Sequence, residues 1–159
     1  MLSKSGIPTK QQIQSVFPKQ KDLLQMKAII ECYEEIPCNP CETYCPFDAI
    51  EIGPQMNHRP QLIVDRCIGC SICVSVCPGV AIMLASVDDD VAKFTIAYEL
   101  LPLPEVNSIW HGVNRAGEVI GDVTITKVVK NKDHSALITL ETTRDYLYEL
   151  VTIRRKVDG

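Results

Sequence analysis

All eight cysteines of this 159-residue chain lie between Cys32 and Cys77. The run Cys67-x₂-Cys70-x₂-Cys73-x₃-Cys77-Pro78 puts three thiols three residues apart in one tight loop. Thiols so spaced can reach three irons of a single four-iron cubane. Gly69 lets the backbone come close to inorganic sulfide, whose charge inward-pointing N–H groups offset. Pro78 fixes φ and redirects the chain, so the Cys77 thiol faces away from its own loop. An earlier run, Cys32-x₅-Cys38-x₂-Cys41-x₃-Cys45-Pro46, ends the same way but has three more residues between its first two cysteines. Zinc and disulfides are the competing readings. Structural zinc takes two Cys-x₂-Cys pairs. It has no use for three cysteines at spacing three followed by Cys-Pro, twice. Disulfides belong to oxidising compartments, which nothing else in the chain suggests.

The run from Cys67 to Pro78 resembles that of bacterial-type ferredoxins with two [4Fe–4S] clusters. In such runs the fourth cysteine ligates the other cluster. The resemblance thus assigns Cys32, Cys38, Cys41 and Cys77 to one cluster, and Cys67, Cys70, Cys73 and Cys45 to the other. Two [4Fe–4S] clusters then use every thiol. Cys32, displaced by the wider gap, is the ligand whose loss would leave the first cluster as [3Fe–4S].

The elements that position these loops follow from an internal repeat. Cys38, Cys41, Cys45 and Ala49 recur at Cys70, Cys73, Cys77 and Ala81, an offset of 32 residues. Ahead of the first cysteines, Ile29-Ile30 lines up with Val64-Asp65 at an offset of 35. Each unit is expected to be a short strand, a cysteine loop, one helical turn and a return strand. Before them, Thr9 and Gln12 form a capping-box signature for a two-turn helix ending near Pro18, and a second short helix is expected over 21–26. After them the chain turns to β pattern: 91–98, 118–129, 135–142 and 146–153 are rich in β-branched and aromatic residues. Asn114 to Gly117 reads as a turn. Few short strands cannot bury themselves as an open sheet, so a small barrel is expected. The fold class is therefore α+β: an N-terminal arm with short helices (1–27), a duplicated dicluster module (28–87) and a C-terminal β-barrel-like domain (88–159).

Composition narrows the function. Hydrophobic residues are 46% and charged residues 23%, globular proportions, and the net charge of −4 disfavours nucleic acid as a partner. There is no run of the length a membrane helix needs. The opening residues, MLSKSGIPTKQQIQ, lack the apolar core of a secretory signal, so a cytoplasmic location is expected. His58, His111 and His134 read as surface histidines in loops or turns. Trp110 and Tyr98 read as core anchors. Lys127, Lys130, Lys132 and 154–156 read as a solvated face. No nucleotide-binding glycine motif, nucleophile elbow or acid/base pair is present, so the polypeptide carries no substrate chemistry of its own.

A narrower resemblance starts at Ile36-Pro37-Cys38-Asn39-Pro40-Cys41, includes the wide Cys32 gap, and continues at Tyr98-Glu99-Leu100-Leu101-Pro102-Leu103-Pro104 into the β region. These features look like the small ferredoxin-like subunit of multi-subunit flavin-dependent dehydrogenases acting on proline, hydroxyproline or related secondary amines. The resemblance implies flavoprotein partners in a hetero-oligomer and a role in passing single electrons to or from flavin. Ile36, Ile50, Ile68, Ile72, Val74, Ile82 and Met83 are expected to keep the clusters dry. The alternatives are a free-standing ferredoxin with an accessory domain, and a redox-sensing regulatory or nucleic-acid-binding protein.

Overall fold

The computed structural model describes residues 1–157. The chain starts with α1 (Lys10–Val16), fixed by the predicted capping box: the Gln12 N–H donates to Thr9 Oγ1 and the Thr9 N–H donates to Gln12 Oε1. The expected second helix is a single 3₁₀ turn, Asp22–Leu24, whose Leu23 is fully buried.

The cysteine region is built from β1 (Lys27–Ile30), α2 (Pro40–Thr43), β2 (Ile50–Glu51), β3 (Gln61–Leu62), α3 (Ile72–Val76) and β4 (Ile82–Asp88). β1 pairs antiparallel with β4, and β2 with β3. Ile30 faces Ile82, and Leu62 faces Ile50. The strand entering one cysteine loop therefore pairs with the strand leaving the other. These facing positions also repeat at 32 residues. That corrects the expected offset of 35: Val64 and Asp65 lie in a 3₁₀ turn (Val64–Arg66), held by the Arg66 and Cys67 N–H groups donating to the Ile63 and Val64 carbonyls. The second unit carries three residues in that turn before Cys67, and the first carries three after Cys32. The apolar run 62–64 does not reveal in advance where its strand stops.

The remaining strands are β5 (Val91–Tyr98), β6 (Ile109–Val113), β7 (Val119–Lys130), β8 (Ala136–Thr143) and β9 (Thr152–Arg154). One seven-stranded antiparallel sheet runs β1-β4-β5-β8-β7-β6-β9. It is not a closed barrel, contrary to expectation. Closure of the 88–159 strands would need β5 to pair with β9, but β4 holds the other edge of β5 and β9 ends on β6. The sheet curls instead. Four adjacent strands, β5 to β6 by way of β8 and β7, would span about 14 Å if flat, yet the Tyr98 and Trp110 rings meet edge-to-face at 5.9 Å. A bulge on β7 between Ile125 and Lys127 adds to the bend. Phe94, Ile125, Ile138, Leu140, Leu147 and Leu150 fill the concave side.

Residues 146–150 are not strand, as the pattern suggested, but helical turns. The Leu150 N–H donates to the Tyr146 carbonyl, and Leu147 and Leu150, three apart, are buried together. Tyr146 lies so close to Gly121 that an added Cβ there would sit 2.6 Å from its hydroxyl. β6 escaped the sequence reading. Its buried Trp110, Gly112 and Val113 do not alternate cleanly, and Gly112 is needed where Val123 and Leu150 press on the backbone. The 114–117 turn forms as expected, with Gly117 at φ +80° and the Ala116 and Glu118 N–H groups donating to Asn114 Oδ1.

That turn also ties the β region to the cysteine region. Arg115 forms a buried ion pair with Glu31, next to Cys32, and donates to the Tyr148 carbonyl at 2.6 Å. Removing the guanidinium strands a buried carboxylate. Arg115→Ala is therefore expected to lower unfolding stability by about 3–5 kcal/mol, read as a fall in the urea midpoint. A change within error would show that the pair is not a structural link.

Candidate metal centre

The local geometry of the two loops repeats with their sequence. α2 and α3 each begin two residues after the second cysteine of their own loop, Cys38 and Cys70. Each loop ends with its Cys-Pro turn in the same conformation. The Asp48 N–H donates to the Cys45 carbonyl and the Val80 N–H to the Cys77 carbonyl. Asp48 and Val80 both take positive φ, 50° and 51°. For β-branched Val80 that backbone is costly. It lets the Ala49 N–H donate to Cys45 Sγ at 3.4 Å and the Ala81 N–H to Cys77 Sγ at 3.3 Å. A third amide, Ala28 N–H, donates to Cys67 Sγ at 3.5 Å. Gly69, at φ +73°, is needed because a Cβ there would meet the Met26 carbonyl at 2.6 Å.

The antiparallel pairing brings each fourth cysteine to the other loop. Cys32, Cys38, Cys41 and Cys77 line one cavity. Cys45, Cys67, Cys70 and Cys73 line another. The thiols within each set sense one another electrostatically. Burial first, then Cys77 and Cys38, push the Cys32 thiol up, while Arg59 opposes them. Burial pushes Cys41 up to about 11, with Cys77, Cys38 and Cys32 adding to it against a backbone hydrogen bond at Glu42. Burial pushes Cys73 up to about 12, helped by Cys67, Cys70 and Cys45. Cys41, Cys67 and Cys73 are buried, Cys70 is exposed, and the other four are intermediate. Among the described residues no three Cys, His, Asp or Glu side chains close to the spacing of a single metal ion. A four-iron cubane is wider than one ion and takes thiolates that stand further apart. The donor chemistry is also right for it, since each cavity is lined by four soft cysteine thiols.

Residues 36–81 match the family model of the 4Fe-4S dicluster domain. A ferredoxin-type 4Fe-4S module therefore occupies this span, and a domain of this kind points to iron–sulfur electron transfer. The span holds every cysteine but Cys32 and excludes the C-terminal strands. Neither the curated proteins nor the solved structures provide a match to the chain.

The module's apolar shell is partly as expected. Ile50, Val74 and Ile82 pack with Cys41, Cys67 and Cys73 in one buried cluster. Met83 instead faces the larger core on the opposite side of the sheet. Ile36, Ile68 and Ile72 are exposed at the rims of the two cavities. Two histidines sit differently from their sequence reading. His58 is half-buried and lines the cavity of Cys32 and Cys77, beside Gly53. A turn after the first unit carries it there, a placement the spacing of a lone histidine does not signal. His111 lies on β6 opposite Asp122 rather than in a loop. Trp110 and Tyr98 are buried core residues, and Lys127, Lys130 and Lys132 are exposed. No helix among the described residues is long and apolar enough to cross a membrane.

The raised thiols carry a pH consequence for the metal-free chain. With pKa values pushed from 9.0 to about 11 at Cys41 and about 12 at Cys73, the folded chain keeps protons that the unfolded chain releases. Their stabilisation is complete below about pH 9 and is lost as pH rises towards 11 and 12. The urea midpoint of metal-free protein is expected to fall steadily above about pH 9. A flat profile would contradict the burial of these thiols.

Proposed function

We propose that the chain holds two [4Fe–4S] clusters and passes single electrons to or from flavin centres, as the iron–sulfur subunit of a multi-subunit flavin-dependent dehydrogenase. The observation that carries this reading is the crosswise gathering of thiols: each cavity is lined by three cysteines of one loop and the fourth of the other. Cys32, Cys38, Cys41 and Cys77 would hold the first cluster, and Cys45, Cys67, Cys70 and Cys73 the second. We read the two loops as copies of one unit, since strand register, helical turns and Cys-Pro turns all repeat at one offset.

A bound cluster of this type supplies reversible one-electron exchange. The chain's own residues set the conditions. The N–H groups of Ala28, Ala49 and Ala81 donate to cysteine sulfurs and offset thiolate charge. Ile50, Val74 and Ile82 exclude water. Cys70 and the rim residues Ile68 and Ile72 bring the second site to the surface, where a redox partner can approach. The flavoprotein partner and a secondary-amine substrate for the complex rest on the resemblance of the sequence, and a cytoplasmic location fits eight thiols kept reduced for cluster ligation. Within that reading, the arm (1–27), module (28–87) and β region (88–159) are functional divisions of a structure whose main sheet begins at the arm's last residue, Lys27, and runs through the other two.

Two experiments test the reading. Anaerobically prepared protein is expected to contain iron and sulfide for two cubanes, and to bind a flavoprotein stoichiometrically when expressed with its neighbouring genes. The ligand swap is more pointed. Cys77→Ser should damage the cluster of the earlier loop, and Cys45→Ser that of the later one, by paramagnetic resonance of the reduced protein. Cys32→Ser should cost iron at the first site alone. Damage confined to each residue's own loop would sink the crosswise assignment.

A further inference from the structure

Lys27 is a cation where a cation is expensive. The residue is 8% exposed at the start of β1. Its Nζ donates to the carbonyls of Cys67 at 2.6 Å and Val64 at 3.0 Å. No carboxylate lies within ion-pair distance of it among the described residues. Capping the 3₁₀ turn at 64–66 explains two hydrogen bonds but not the charge, since two carbonyl dipoles do not balance a buried ammonium. The adjacent Ala28 N–H meanwhile donates to Cys67 Sγ, so the start of β1 is fastened to the first cysteine of the second loop.

The 32-residue offset takes Lys27, the first residue of β1, to Arg59, also a cation, two residues before β3. Arg59 does for the first loop what Lys27 does for the second. Its Nη1 donates to the carbonyl of Tyr33, the residue after Cys32, at 3.5 Å. Each loop's opening cysteine thus has beside it a cation carried by the other unit. The two differ in burial: Arg59 is exposed and Lys27 is not.

Resting on the two-cluster reading above, we propose that Lys27 and Arg59 are paired counter-charges of the two clusters, and that Lys27, being buried, acts more strongly on its own. Four thiolates outweigh the positive charge of a cubane core, and reduction adds one more negative charge. In that step one electron enters from the partner or a chemical reductant, no iron–thiolate bond breaks and no proton moves. The Lys27 side chain, fastened to the backbone of Cys67, lowers the energy of the reduced state. Screening by water weakens the same effect at Arg59.

The test is a redox titration of the intact protein by paramagnetic resonance, with the two couples assigned by Cys32→Ser. Lys27→Gln is expected to lower the potential of the Cys45/Cys67/Cys70/Cys73 couple by about tenfold in its reduction equilibrium, about 59 mV for one electron. Arg59→Gln should lower the other couple by less. Lys132→Gln, an exposed lysine in the β7–β8 turn, should move neither. Lys27→Arg should keep iron content and potential close to wild type. Unchanged couples in Lys27→Gln, or a larger shift in Arg59→Gln, would overturn the proposal. If Lys27→Gln loses iron, retention in Lys27→Arg supports a role for charge, and equal loss in Lys27→Arg overturns it in favour of packing. Wild-type protein lacking the iron of two cubanes would remove the underlying reading itself, a result distinct from intact clusters whose potentials do not move.

Discussion

The antiparallel pairing of β1 with β4 is the constraint on which everything else in this molecule depends. With Ile30 opposite Ile82, the chain entering the first cysteine loop runs beside the chain leaving the second. Cys32 and Cys77 are thereby neighbours although 45 positions separate them in sequence. The β2–β3 pair does the same for Cys45 and Cys67 with only two residues per strand. A one-residue slip would exchange the two buried faces of β1 between the two cores and take Cys32 with it. The long sheet fixes the register, because β4 continues through five ladder pairs with β5.

The second theme is charge. The centre gathers thiols that burial and mutual repulsion keep protonated in the metal-free chain, while the proposed role requires them as thiolates. The chain offers compensation at several points: amides at three sulfurs, strained Cys-Pro turns that aim two of those amides, and a cation beside each opening cysteine. Val80 shows that these arrangements are not free, since a valine at positive φ survives only where the surrounding structure holds it. The Glu31–Arg115 pair extends the same network to the β region.

The chemistry-bearing part was the most legible in sequence. Cysteine spacing and Cys-Pro endings are local, and so is the Thr9/Gln12 cap; each was readable because its physics is contained in a few residues. The strand 91–98 was equally plain, because alternation and a following proline-rich loop mark both ends. What depends on distant partners was not. Nothing local says that β4 takes the edge of β5 and so prevents closure, or that Leu147 and Leu150 share a helical turn instead of opposite faces of a strand. Lys27 and His58 were missed because single residues outside a motif carry no signal until the fold brings them to the cysteines.

The β4–β5 hairpin, finally, bears on how the protein can be divided. Its turn lies at Asp88 to Asp90, where composition changes and a boundary looks natural. Severing the chain there would bare the full ladder edge of β4 on one fragment and of β5 on the other. Both are long and largely apolar, without the prolines or inward charges that keep open edges from self-association. Each half of this molecule is thus the other's protection against aggregation.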